Sequence, residues 1–334
     1  MAGDFFQLSP VPNAEYRDYS HYRFMSPVFS SFPHTIELDQ VLRQQDDTLI
    51  SCINQLARGQ LLSDTSLSLL TEVSRPLYQS QDTIVCLVRN YEADVFNAEK
   101  LGQLQGEPTI STAKDSADLR TLKRSRVPKH VASKLGAPVV LTANLADTLF
   151  NGLLRRVHAI SSAGPLIKFD INGCDEATPI TPHLFSMYSP TEQKVTATRK
   201  QLPLLLAFGM AIHKCQGITL PSVEVHCKHI FAPGQLGVAV GRATHRDGLR
   251  VVGFTSNCAK EHHQAVIDFY QQLVNADTQG LSARFATPVH SLNMSKKTAT
   301  THPPPAVLSY LATCLRRPLP VTEELTRCVS TYGQ

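Results

Sequence analysis

Apolar positions in this chain change period several times, and each change predicts a different element. Between Asp46 and Arg58 they fall at Leu49, Ile50, Ile53, Leu56 and Ala57, the spacing of one helical face, with Gly59 placed to end the helix. Ser63-Asp64 is a helix-start pair, followed by Leu67, Leu69 and Leu70. Thr83 to Val88 is a short apolar run that predicts a buried strand; Asn90 stands just past its end and Asp94 to Leu104 predicts the next helix. Strand, polar end and helix in that order make one unit of a parallel α/β domain. Ile36 to Leu42 predicts another short strand, leading to Arg43 and Gln44.

The middle of the chain reads differently. Pro138 to Thr142, Leu153 to Ile160 and Leu166 to Ile171 predict short strands, with a turn signal at Asn151-Gly152. Together they predict a small β-rich module from about Lys134 to Thr196. The α/β pattern resumes at Leu202. An apolar run there stops at Ile212, where His213, Lys214, Gln216 and Thr219 take over, with Gly217 among them. A second buried segment, Leu236 to Val240, ends in Gly241 and Arg242. Two buried elements thus carry basic and hydroxyl groups to their ends, as a phosphate-handling site at a sheet edge requires. Lys214 and Arg242 are expected at adjoining ends of one sheet, facing a shared cleft. Ala259 to Leu273 predicts an amphipathic helix with Val266, Phe269, Tyr270 and Leu273 on one side. The tail from Thr287 is rich in Pro, Ser and Thr and predicts loose order, with a short helix at Val321 to Val329.

Composition narrows the function classes. The 334 residues suffice for two domains. A net charge of +4 is mild, so any nucleic-acid surface has to be a local groove. Lys114, Arg120, Lys123, Arg124, Arg126 and Lys129 offer such a groove wall, or an exposed linker. Eight scattered cysteines without a repeated spacing point to reduced, buried thiols and an intracellular setting. No signal peptide is visible, and the longest apolar stretch is too short to cross a bilayer, so no membrane partner is expected. Cys258, His262 and His263, with Cys227, His226 and His229 nearby, lack a four-ligand spacing, and no metal site is expected. No GxxxxGK[ST] phosphate loop occurs among these residues.

Several segments, in order, resemble the motifs of Pif1-like DNA helicases, superfamily 1 motors related to RecD. Gly3-Asp4-Phe5-Phe6-Gln7-Leu8-Ser9-Pro10-Val11 resembles that family's motif III, and Val41-Leu42-Arg43-Gln44 its FRQ segment. Val88-Arg89-Asn90, followed by Asn97, is similar to the strand and helix that open the second motor domain. Leu135 to Leu145 with Asn151-Gly152 resembles the 2B domain, an SH3-like β module inserted in motor domain 2A. Ile212 to Leu220 resembles motif V and Pro233 to Arg242 motif VI.

The resemblance implies a RecA-like parallel-sheet motor domain 2A with the 2B module inserted and the first motor domain largely missing. Its expected layout is a motif III remnant over 1–35, domain 2A over 36–132 and 198–275, the β module over 133–197, and a C-terminal extension over 276–334. It implies ATP hydrolysis coupled to 5′-to-3′ movement on single-stranded DNA and to duplex unwinding, in DNA maintenance (repair, recombination, telomere upkeep). ATP and Mg²⁺ are the implied cofactors. Single-stranded DNA and DNA junctions are the implied partners, with protein partners through the tail and a nuclear or mitochondrial location. Arg242 takes the role of arginine finger, a charge that stays on and a rigid donor fork. Arg43 is a second γ-phosphate contact and Gln7 a γ-phosphate sensor. Gln216 and Gly217 shape the nucleotide side of motif V, while His213, Lys214, Thr219 and Asn90 face the DNA. Arg155, Arg156 and Lys168 are expected to support the DNA channel. Taken singly, Arg242 and Lys214 read as surface cations and His213 as a structural residue; the surrounding motifs favour the site roles.

The sequence departs from the family at Ser9, where proline is usual, and at Cys215 and Gly241, where serine is common. It starts at motif III, so the Walker segments are expected upstream of Met1, and little ATP turnover is expected of these residues alone. The alternative is a non-catalytic nucleic-acid-binding or interaction protein that keeps the helicase scaffold.

Overall fold

The computed structural model describes residues 3–13, 18–32, 35–38, 40–77, 82–117, 122, 125, 127–171, 174–189 and 192–278. Arg120, Lys123, Arg124, Arg126 and the tail from 279, with its expected helix, lie outside them.

A four-stranded parallel sheet organises the α/β part. Its strands are β1 (Ile84–Leu87), β12 (Gly209–Ala211), β13 (Val223–His226) and β14 (Leu249–Val252), in the order β12-β1-β13-β14. Cys86 pairs with both Met210 and Val225, and Val225 with Val251. All four residues of β1 are buried, as a strand covered on both faces must be.

Helix α2 (Asp47–Arg58) starts where the Asp46 carboxylate accepts the Thr48 and Leu49 amides, and stops at Gly59, whose φ is 62°. It buries Leu49 and Leu56 of its predicted face together with Cys52, while Ile50, Ile53 and Ala57 are half-buried. Truncating such a core leucine costs about 2–5 kcal/mol. Ser63 caps α3 (Asp64–Glu72) through the Ser66 amide. The helix after β1, α4 (Asn90–Gln103), begins at Asn90 itself rather than at Asp94. Asn97 ties it to the sheet: its Nδ2 donates to the Gly209 carbonyl at 2.8 Å, and the Gly209 amide donates back at 2.9 Å.

The antiparallel part forms three sheets. The largest joins β11 (Leu204–Leu206), β5 (Pro138–Leu141), β6 (Leu154–Ser161), β7 (Gly164–Ile171) and β8 (Cys174–Pro179) in that order. A second has β10 (Lys194–Gln201) between β3 (Lys114–Ala117) and β9 (His183–Ser189); β2 (Thr109–Thr112) pairs with β4 (His130–Ser133). These strands run from Thr109 to Leu206, beyond 133–197 on both sides. Their own core includes Val139, Leu141, Val157, Ile167, Ile180 and Leu204. Arg199, 7% exposed, forks onto Asp115 with Nε–Oδ1 at 2.7 Å and Nη2–Oδ2 at 2.8 Å.

Four sequence expectations are corrected. Ile36 to Leu42 is not a strand: Ile36, Leu38 and Leu42 are 76%, 91% and 83% exposed, and no described strand pairs with them. The run from Leu202 is not one element. Leu204–Leu206 pairs antiparallel with Val139–Leu141, whereas Gly209–Ala211 lies parallel to Val85–Leu87. An unbroken apolar run has no period to mark where the chain changes sheet. Leu236 to Val240 belongs to a wholly buried helix, α6 (Gln235–Val240), preceded by Gly234 at φ 73°. The C-terminal helix, α7 (Gln264–Thr278), starts five residues later than expected, where His263 Nδ1 accepts the Ala265 amide at 3.2 Å. Two further short helices are α1 (Pro27–Ser30) and α5 (Ile212–Cys215). Among the described residues no helix is long and apolar enough to cross a membrane.

Candidate nucleotide and single-strand site

The expected site residues come from five separate stretches, and the fold joins most of them. Strand β12 runs into α5, which carries His213 and Lys214; both are exposed. The loop that follows holds Gln216, Gly217 and Thr219, also exposed. Helix α6 packs tightly on α2 because Gly237 has no side chain: a Cβ there would sit 2.5 Å from the Ala57 Cα. At the end of α6 the chain turns at Gly241 and presents Arg242, only 5% exposed.

Arg242 is therefore delivered by a helix, not by the end of a sheet strand, and Lys214 and Arg242 do not share the expected setting. What joins their segments is the loop. Arg242 Nε donates to the Val238 carbonyl at 2.8 Å and Nη1 to the Ile218 carbonyl at 3.3 Å. The Leu220 amide donates to the Arg242 carbonyl at 2.9 Å. Arg43 closes the group: Nε donates to Thr219 Oγ1 and Nη1 to the Gly241 carbonyl, each at 3.0 Å. Gln44, given no role in the sequence reading, is buried and donates to the Gly241 and Ala243 carbonyls at 3.2 and 2.6 Å. Its signal was its place beside Arg43 in the FRQ segment.

Gln7 reaches the same loop from the other side. Gln216 Nε2 donates to Gln7 Oε1 at 3.0 Å. The backbone of this segment lies on Gly234, where a Cβ would come within 2.3 Å of the Gln7 carbonyl oxygen. Asn90 is elsewhere: it is exposed at the first turn of α4 and makes no bond to this group. Of the expected channel supports, Arg156 is committed to Asp82 and to the Gly136 carbonyl.

The electrostatics favour an anion. Burial pushes the Arg242 guanidinium down to about 10, and the neighbouring charge of Arg43 pushes the same way. Burial also lowers Arg43. No carboxylate among the described residues pairs with either, and the Nη2 of each is left without a hydrogen-bond partner among them. Two crowded cations with spare donors fit a phosphate, which would relieve their repulsion. No group of three or more His, Cys, Asp or Glu among the described residues is placed to hold a metal ion. Cys215 is wholly buried, its Sγ 3.2 Å from that of Cys86, and is no exposed nucleophile. Cys52, Cys86, Cys215, Cys227 and Cys258 are free and buried.

Comparison with known proteins now bears on this arrangement. The crystal structure of Pif1 helicase from Candida albicans is 30% identical and superposes with a TM-score of 0.69, over 81% of this chain and 67% of that one. The chain belongs to the Pif1-like DNA helicase family. ATP-dependent DNA helicase PIF1 of Homo sapiens is 32% identical over 285 residues, covering 82% of this chain and 43% of that protein. Bacteroides Pif1 bound to single-stranded DNA is 26% identical with a TM-score of 0.66, over 82% of this chain and 66% of that one. The chain spans less than half the length of the curated relatives it matches. No family model matches it. The parallel sheet is that of a RecA-like domain, and the antiparallel sheets resemble the 2B insertion of the Pif1-like fold.

Proposed function

We propose that this Pif1-like chain supplies the second half of an ATP-driven DNA motor: the arginines that meet the γ-phosphate and a loop that grips single-stranded DNA. The observation that supports this most is the Arg43–Thr219–Gly241–Arg242 group. It brings two guanidiniums that lack a carboxylate partner onto the motif V loop, Arg43 at the Thr219 hydroxyl and Arg242 at the Ile218 carbonyl, from residues far apart in sequence.

Bound ATP would supply the phosphate whose transfer to water drives the motor, with its Mg²⁺ held by groups outside this set. The chain's own residues do the rest. Arg242 and Arg43 offer fixed donor forks to the γ-phosphate, where charge accumulates as the bond to the β-phosphate breaks. Their anchoring on backbone carbonyls holds the forks before nucleotide arrives, so little reorganisation is needed. Drawing Arg43 onto phosphate weakens its bond to Thr219, which frees the loop behind α5, whose exposed Lys214 and His213 face the DNA backbone. Nucleotide state thereby reaches the strand grip through one hydrogen bond. Lysine reads charge rather than base, so the grip is independent of sequence and sensitive to salt. Repeated opening and closing would move the strand in the 5′-to-3′ sense and unwind duplex ahead of it.

The test is DNA-stimulated ATP turnover. Turnover by a complete motor containing this domain should fall about a hundredfold on Arg242→Ala, the equivalent of about 3 kcal/mol in the barrier. These 334 residues by themselves should show almost none. Brisk turnover by them, abolished by Arg242→Ala, would contradict this division of labour. Salt-dependent strand binding with no turnover in any setting would mark a non-catalytic binding protein on the same scaffold.

A further inference from the structure

The Gln7 amide is held by a chain of hydrogen bonds that starts on α7, far from motif V in sequence. The Phe5 amide donates to Tyr270 Oη at 3.0 Å, and the Tyr270 hydroxyl donates to Asp4 Oδ1 at 3.0 Å. Asp4 Oδ1 also accepts the Phe6 amide at 2.9 Å, while Oδ2 accepts Gln7 Nε2 at 3.3 Å. Gln7 Oε1 then accepts from Gln216. Rings hold this segment in place. Phe6 stacks on Tyr270 with centroids 4.3 Å apart, and the Arg58 guanidinium carbon lies 5.5 Å from the Phe6 ring centroid. Phe5 packs edge-on against Phe24 and Phe269 at 4.9 and 5.3 Å.

Two facing glutamine amides have no built-in direction, because either can present its oxygen or its nitrogen. An ionised carboxylate only accepts. Asp4 therefore forces the NH₂ of Gln7 toward itself, which turns Oε1 to Gln216. Asp4 is exposed; the Phe6 amide holds Oδ1 from within the segment, and the Tyr270 hydroxyl holds it from outside. We infer that Tyr270 is a positioning residue for Gln7, acting through Asp4 to fix which end of the Gln7 amide faces motif V. The consequence deepens the proposed function and rests on it. A γ-phosphate accepts hydrogen bonds and cannot donate them, so it can be met only by the NH₂ that Asp4 already holds. Asp4 occupies one N–H of that group and leaves the other for a phosphate, so helix α7 sets the direction in which Gln7 can offer it.

The direct test uses the full chain labelled with ¹⁵N in glutamine side chains, without nucleotide; Gln7→Glu and Gln216→Glu assign the two amide signals. Tyr270→Phe removes the hydroxyl and keeps the ring. The inference predicts that both signals move toward the positions of solvated glutamine, including that of Gln216, which does not touch Tyr270. A folded Tyr270→Phe protein with both signals unmoved overturns it. Should that variant fail to fold, Asp4→Asn leaves Tyr270 intact and can present either end to Gln7. It should split the Gln7 signal into two sets, and a single unmoved set overturns the inference equally. Because these signals are read without nucleotide, their outcome is separate from whether Gln7 meets a phosphate. A non-hydrolysable ATP analogue added to a complete motor tests that second point, through the movement of the Gln7 signal.

Discussion

Arg43 and Thr219, 176 residues apart, are hydrogen-bonded through Nε and Oγ1 at 3.0 Å. One is the proposed second phosphate contact and the other a proposed DNA contact, so in the proposed function the two halves of the motor's task share a bond. Thr219→Val keeps the shape and removes the acceptor. It should cost about 1 kcal/mol in urea unfolding, the usual worth of such a bond, and Thr219→Ser should restore most of it. Equal stability of all three proteins would mean that Arg43 is anchored by Gly241 alone.

Gly234 is where the Gln7 segment crosses the start of α6. Its φ of 73° and the 2.3 Å approach of the Gln7 carbonyl leave no room for a methyl group. Gly234→Ala should lose about 1–2 kcal/mol in urea unfolding, the cost of a positive φ plus a displaced backbone. It should also expose the segment around Phe5 and Phe6 to faster proteolysis. Wild-type protection would show that the contact is not needed to hold Gln7.

Asp46 caps α2 and binds Arg246, whose hydrogen bond holds the carboxyl at about 2, below the usual carboxylate range. A depressed carboxyl stabilises the fold above its unfolded pKa, and the contribution disappears as pH falls through the folded value. Stability should therefore decline between about pH 4 and pH 2, by about 1 kcal/mol from this pair once solvent screening is counted. Arg246→Gln should flatten that part of the stability–pH curve. An unchanged slope would assign the acid sensitivity to other carboxylates.

In the β sheets, Arg199 is buried and depends on Asp115. Asp115→Ala leaves the guanidinium without its counter-ion, at a cost of about 3 kcal/mol or more. Hydrogen exchange should show the loss in β3, β9 and β10 while β1 and β13 keep their protection, if the antiparallel sheets open independently. Uniform loss across both parts would show one cooperative unit.

How much of this was legible in the sequence differs by element. Helix α2 was readable from its ends, because Asp46 and Gly59 each impose a local geometry that needs no tertiary partner. The buried strand β1 was readable from its run of apolar residues. Helix α6 was not: Gln235–Val240 is buried on every side, so it has no polar face and no period. The division of the Leu202 run between two sheets was hidden for the same reason. Among site residues, Arg43 and Arg242 stood out by motif, but Gln44, Asp4 and Tyr270 act through contacts made only on folding. Tyr270 falls on the apolar face of its helix, where a hydroxyl partner 266 residues away leaves no local trace.

The central claim is that motif V presents a charge-reading grip to a single strand, and Lys214 is its exposed cation. Binding of a fluorescent oligothymidine, followed by anisotropy over a series of salt concentrations, tests this most directly. For wild type, log K should fall linearly with log salt. Lys214→Ala should lower that slope by about 0.7, the release expected from one lost phosphate contact on single-stranded DNA. Identical slopes and affinities for the two proteins would contradict the account.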